Sequence, residues 1–200
     1  ESADHDATII DAVAAAPALL DPAASAADIA GVVHHQGEDR YDVLRSNPQL
    51  LATEQRIGGV EFDQLLQVAA RYYRLVIFDS GNDESAPRWL RMIDSAHQLV
   101  IPTLTAPESA ESAALLLEAL ADRDERSAEL AHDAVVVVTQ AERGDAAEAV
   151  RVGEAFAGLV RAVQVIPFDP VLKRGPLRFD ALRPVTRRAW VAAGAAIATG

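Results

Sequence analysis

The sequence predicts an α/β fold, a doubly wound, mostly parallel sheet with helices on both faces, built as a single domain over residues 1–200. Three observations carry that expectation. Near-continuous apolar runs recur at "LVIFDS", "QLVIPTL", "AVVVVTQ" and "AVQVIPF". Segments of helical periodicity separate them. Strands apolar on both sides are buried on both sides, which a parallel sheet covered by crossover helices provides.

Each element has its own justification. Thr8 opens the apolar-periodic segment "TIIDAVAAAPALL", in which Pro17 ends or kinks a helix because it lacks an N–H. "DPAAS" is a turn, and Ser25 is the N-cap of a weaker second helix, "SAADIAGVV". "YDVLRSN" alternates like a half-buried strand and breaks at Asn47-Pro48, before a loop through Gly58-Gly59. Beyond it come helix "EFDQLLQVAARYY", strand "LVIFDS", helix "PRWLRMIDSA" and strand "QLVIPTL". A long helix from Pro107 to about Asp133, strand "AVVVVTQ", helix "AAEAVRVGEAFAGLV", strand "AVQVIPF" and a last helix from about Leu182 to Ala198 complete the order. The charged run "EALADRDERSAELAHD" reads as the wet face of the long helix.

Composition limits the function. The chain is half apolar with a formal net charge of −12, so long-range attraction to nucleic acid or anionic lipid is unfavourable for the molecule as a whole. Cysteine is absent, which removes disulfides, thiolate metal sites and cysteine nucleophiles and points to a cytoplasmic compartment. No run approaches the ~18 apolar residues of a membrane span. No G-x-S-x-G elbow surrounds Ser46 or Ser80, and the adjacent His34 and His35 point apart, with no further ligand at metal spacing.

The stretch "RLVIFDSGND" puts a carboxylate, Asp79, directly after an apolar strand. In open parallel sheets ligands sit beyond the carboxyl ends of the strands. An acid there either satisfies its own loop or faces a magnesium ion beside a phosphate, and Ser80, Gly81 and Asn82 offer backbone N–H groups to an anion. The other strands end at Pro102-Thr103, Thr139-Gln140 and Pro167-Phe168-Asp169, each with polar or turn-forming groups.

The segments "YRLVIFDSGNDESAPRWLRMIDSAHQLVIPTLTAPESAESAA" and "VIPFDPVLKRGPLRFDALRPVTRRAW", with their spacing, resemble the ParA/MinD family of deviant P-loop ATPases, in its actinobacterial partitioning-type branch. The resemblance spans most of residues 41–195. It implies a partial P-loop NTPase fold, bound ATP and Mg2+, ATP-dependent homodimerisation, and a role in DNA or plasmid partitioning or cargo positioning. By the same resemblance, Asp79 is the acid that acts on magnesium through a water, and Gly81 is the switch glycine that senses the γ-phosphate. Gln140 stands where the family has an asparagine that reads the adenine edge, and Pro167, Phe168 and Asp169 form the loop that walls the adenine ring.

One departure matters. The family's phosphate loop would precede these segments, yet the 200 residues hold no G-x-x-x-x-G-K-[ST] and Lys173 is the sole lysine. Without that nest of N–H groups the chain alone is not expected to hydrolyse ATP. The expectation is that it represents the C-terminal two-thirds of such a domain. A non-catalytic α/β interaction scaffold is the alternative. A phosphoacceptor receiver is disfavoured, because "VVVVTQ" lacks its lysine and "VLRSN" its acid pair.

Lys173, Arg174, Arg178, Arg183, Arg187 and Arg188 are a third of the 18 basic residues and offer a surface for non-specific DNA. "RRAWVAAGAAIATG" buries too little area per alanine to hold a membrane and is expected to pack on the core through Trp190.

Overall fold

A computed structural model describes residues 5–37, 40–47, 57–81, 86–174 and 177–199. Pro48 and Asn82, singled out above, lie outside them. The chain divides into two compact units, Glu1–Met92 and Ile93–Gly200.

The first unit begins with α1 (Ile9–Leu19) and α2 (Ala26–Ile29). Both open on the same device: Asp11 accepts from the N–H and hydroxyl of Thr8, and Asp28 from those of Ser25. These reciprocal caps satisfy N–H groups that the first turn leaves without helical partners. Pro17 does not stop α1 at once. It sits in the last turn, and the helix ends two residues later at Leu19. The second helix is shorter than expected, and the chain turns into β1 (His34–Gln36), antiparallel to β2 (Tyr41–Val43). The strand expected over Tyr41–Asn47 therefore contributes only its first residues to a ladder.

α3 (Gly59–Tyr72) packs on α1, with Val68 joining Ala16, Leu19, Ile29 and Val33 in a buried cluster. Its C-terminal end is bound to the α1–α2 turn: Arg71 donates to the carbonyls of Asp21, Pro22 and Ala24, and Tyr72 to that of Leu19.

The next segment differs from expectation. Residues 75–80 enter no ladder among the described residues. Phe78 packs on Phe62, but Leu75 and Ile77 are 73% and 83% exposed. The alternation of a strand is present, and among the described residues nothing pairs with it.

α4 (Pro87–Ser95) straddles the division between the units. The second unit holds a three-stranded parallel sheet in the order β3 (Val100–Leu104), β4 (Val135–Thr139), β5 (Ala162–Ile166). Between β3 and β4 the expected long helix is two: α5 (Pro107–Arg123) and α6 (Glu125–His132). Asp124 divides them, accepting from the N–H and hydroxyl of Ser127 as the N-cap of α6. α7 (Ala146–Phe156) links β4 to β5, and α8 (Pro184–Ala198) starts with proline at its first position, where no N–H is missed.

The two faces of the sheet follow from register. Val136 pairs with Ile101 and Val163, so these side chains share a face. α7 lies on that face, its Gly153 against Val163 and Val165. The opposite face of β4 and β5, with Val135, Val137, Ala162 and Ile166, packs on Ala189, Trp190, Ala193 and Ile197 of α8. β4 is buried on both sides, as its four valines require.

Among the described residues β3 is an outer strand of the sheet. Leu99 C=O accepts from Val135 N–H, so Ile101 and Thr103, in phase with Leu99, turn their backbone groups to β4 and Pro102 turns its nitrogen outward. Proline fits there because no ladder hydrogen bond is lost. Ile101 and Thr103 are buried, whereas Val100 and Leu104 are 37% and 43% exposed.

Candidate functional site

Three parallel strands deliver their carboxyl ends to one rim, and the residues just beyond them are joined by side-chain hydrogen bonds. Gln140, which follows β4, accepts the N–H of Phe168 beyond β5 on its Oε1 at 2.7 Å. Because an N–H only donates, this contact fixes which way the amide points. Among the described residues Nε2 of Gln140 has no partner, so both of its N–H donors remain available.

The same rim continues toward β3. Asp145, at the N-cap of α7, accepts from the buried hydroxyl of Thr105 at 2.9 Å and from the N–H of Glu142 at 3.0 Å. Glu142 in turn accepts from Lys173, whose ammonium lies 5.4 Å from the centre of the Phe168 ring. Thr105, Asp145, Glu142, Lys173, Phe168 and Gln140 thus form one polar chain across the ends of all three strands.

Asp169 is fully enclosed and turns inward from this chain. Its Oδ1 accepts the N–H of Val171, capping a 3-10 turn over Pro170–Lys173, and its Oδ2 accepts the N–H of Arg183 at the entrance to α8. Burial alone would raise the carboxyl's pKa, but the N–H groups of Arg183 and Val171 outweigh it and hold it below the ordinary range. Asp169 anchors the loop and α8, so Pro167 and Phe168 are the members of this trio left for a ligand.

In the first unit Asp79 and Gly81 are brought together. Asp79 is exposed, and its Oδ1 accepts the N–H of Gly81 at 3.0 Å. Gly81 has φ +63°, a left-handed turn that glycine adopts without strain. Both residues are thereby engaged with each other, with the second oxygen of Asp79 outside this contact.

Half of the basic cluster has acid partners: Lys173 pairs with Glu142, Arg178 with Asp180 and Arg183 with Asp169. Among the described residues Arg174, Arg187 and Arg188 make no ion pair.

Sequence reasoning did not single out Thr105, Glu142 or Asp145. Asp145 carried a signal, an acid directly before the periodic "AAEAV", where an N-cap belongs. A further cluster also went unread. Asp42 accepts from His35 Nδ1 at 2.7 Å and from the Tyr73 hydroxyl at 2.6 Å. Burial raises the Asp42 carboxyl's pKa and these two donors more than reverse it, while burial and Asp42 together push the Tyr73 phenol up. His35 and Asp42 border a recess of about 140 Å³ with Ile29 and Val33.

Among the described residues no cluster of histidine and carboxylate side chains has metal-binding geometry, and no helix is long and apolar enough to cross a membrane. Compared with known proteins, the chain matches no family model, no curated protein and no solved structure.

Proposed function

We propose that this chain carries the base-binding side of a ParA/MinD-like ATPase domain, a cytoplasmic protein that binds Mg-ATP, dimerises in its ATP-bound form and serves DNA partitioning or cargo positioning. The observation that carries this reading is the Gln140–Phe168 contact. It ties the ends of adjacent parallel strands together, and the two residues it joins bring an amide N–H pair and an aromatic side chain to the same rim. A purine needs those two things, an edge partner and a stacking surface. The doubly wound P-loop architecture belongs to the same proposal and is supported by the parallel order of β3, β4 and β5 with α7 and α8 on opposite faces.

The residues present fit the base and the metal-facing acid. The Asp79 oxygen that lies outside the Gly81 contact, with no partner among the described residues, suits a magnesium-bound water, and magnesium would there shield phosphate charge. The phosphate side rests on a loop that the 200 residues do not contain. Arg174, Arg187 and Arg188 are the groups that would meet DNA phosphates, an interaction that added salt weakens.

Titration calorimetry with adenosine and with Mg-ATP tests the proposal. Adenosine is expected to bind the full chain, with Gln140→Ala weakening it about tenfold, the loss of one good hydrogen bond. Asp79→Ala is expected to leave adenosine affinity unchanged and to remove any magnesium dependence of ATP binding. A chain that binds neither compound sinks the reading.

A non-catalytic scaffold is the second reading, and one observation favours it. The Gly81 N–H is already donated to Asp79, and Lys173 is already paired with Glu142, so groups suited to phosphate are satisfied internally.

A further inference from the structure

We propose that Lys173 is a latch on the Phe168 ring, an autoinhibitory contact that a stacking base must displace; this rests on the reading of Phe168 as a base-stacking surface. The ammonium stands 5.4 Å from the ring centre, where it is attracted by the electron-rich face that a purine would cover. Its position is set from two sides. Asp169, enclosed and capping the 3-10 turn over Pro170–Lys173, fixes the backbone from which Lys173 projects. Glu142, from the loop after β4, accepts from Nζ at 2.5 Å and holds the end of the side chain.

The ring is likewise held. The Phe168 N–H is donated to Gln140, so the aromatic face is presented by a fixed backbone and its occupant is the lysine. The latch therefore bridges the loops after β4 and β5, and opening it breaks one ion pair and one cation–π contact. The ion pair is solvent-exposed and the ring half-buried, and each contact is weak, so the latch lowers affinity moderately, a base displacing it at small cost. Ionic strength and pairing of Glu142 with another cation regulate it.

The experiment measures adenosine binding to the full chain and to Lys173→Ala, Lys173→Met and Glu142→Gln by calorimetry, at low salt and at about 0.5 M salt. Adenosine carries no charge, so salt acts on the protein alone. Lys173→Ala and Lys173→Met are expected to bind about 3- to 10-fold more tightly than the unaltered chain, and Glu142→Gln by a smaller factor. Salt is expected to tighten binding to the unaltered chain and to leave both lysine variants unchanged. Equal or weaker binding by the lysine variants overturns the latch while the base-binding reading stands. Absence of adenosine binding by every form overturns both. Thermal unfolding of each variant establishes that the fold is intact, as expected for an exposed side chain.

Discussion

Phe168 donates its backbone N–H to the side-chain oxygen of Gln140 at 2.7 Å, so a glutamine one residue past β4 fixes the loop one residue past the Pro167 that follows β5. The Gln140 backbone continues the ladder as well, donating to Ile166 C=O at 3.0 Å. A single residue therefore holds the outgoing chain of β5 through both main chain and side chain. Gln140→Ala is expected to cost about 1–2 kcal/mol of unfolding free energy, because it strands a half-buried N–H. Gln140→Glu keeps an acceptor at that place and is expected to recover most of the loss, read by urea denaturation at pH 7.

The acid limb of the stability curve has a defined sign. Asp169 has its carboxyl held below its ordinary value of 3.8, so near that pH the unfolded chain binds more protons than the folded one. Its contribution is complete above the unfolded value and is lost as pH falls through the lower folded value. Asp42 shifts in the same direction and adds to the same limb. Asp169→Asn is expected to unfold at a lower temperature than the unaltered chain at pH 7. The gap between the two should close as pH falls below about 4. A gap independent of pH would assign the effect of Asp169 to packing.

Much of the sheet was legible in the sequence because apolar runs report burial directly. The four consecutive valines of β4 are enclosed on both faces, and β3 and β5 fall within the runs that predicted them. Burial pattern does not report a pairing partner, and this is why 75–80 looked like a ladder strand yet enters no ladder among the described residues, with Leu75 and Ile77 exposed. Pro102 was a readable clue to the edge position of β3, since proline interrupts a ladder on one side. The break between α5 and α6 hid in a run of good helix formers, where the capping role of Asp124 depends on its backbone leaving the helical region. β1 was hidden for a different reason: three residues carry too little periodicity to distinguish a strand from a helix tail.

At the site, position after a strand end was enough to mark Gln140 and Phe168. It did not separate Phe168, whose ring meets Lys173, from Asp169, whose carboxylate is enclosed. The partners that complete the rim, Glu142 with Lys173 and Thr105 with Asp145, are separated by 31 and 40 residues, and only the tertiary fold brings them together.

Gly153 offers a test of how α7 meets the sheet. A methyl group placed on it would stand 3.5 Å from Val163 Cγ1 and from Val165 Cγ2, an ordinary contact distance. Gly153→Ala is therefore expected to stabilise the protein by about 0.5–1 kcal/mol, through helix propensity at a site with room for one carbon. Gly153→Leu pushes a larger group into the same interface and is expected to destabilise by about 1–3 kcal/mol. Opposite signs at one position, measured by chemical denaturation, would confirm the close approach of α7 to β5.

The opposite rim of the sheet carries a cross-tie that separates stability from binding. Arg161, immediately before β5, donates to Gln98 Oε1 at 2.6 Å, to Asp133 C=O at 3.2 Å and to Ala196 C=O at 2.9 Å. Those partners precede β3, precede β4 and lie in the last turn of α8, where carbonyls lack helical donors. One planar guanidinium serves all three because its donors spread in a fixed fork. Arg161→Ala is expected to cost about 2 kcal/mol. Arg161→Lys should restore less than half of that, since an ammonium cannot reach three divergent acceptors. Hydrogen exchange at the C-terminal turn of α8 should accelerate in both variants. Adenosine affinity should be unchanged, because Arg161 stands at the amino ends of the strands and the proposed ligand at their carboxyl ends. A loss of affinity at constant fold would place the binding surface elsewhere.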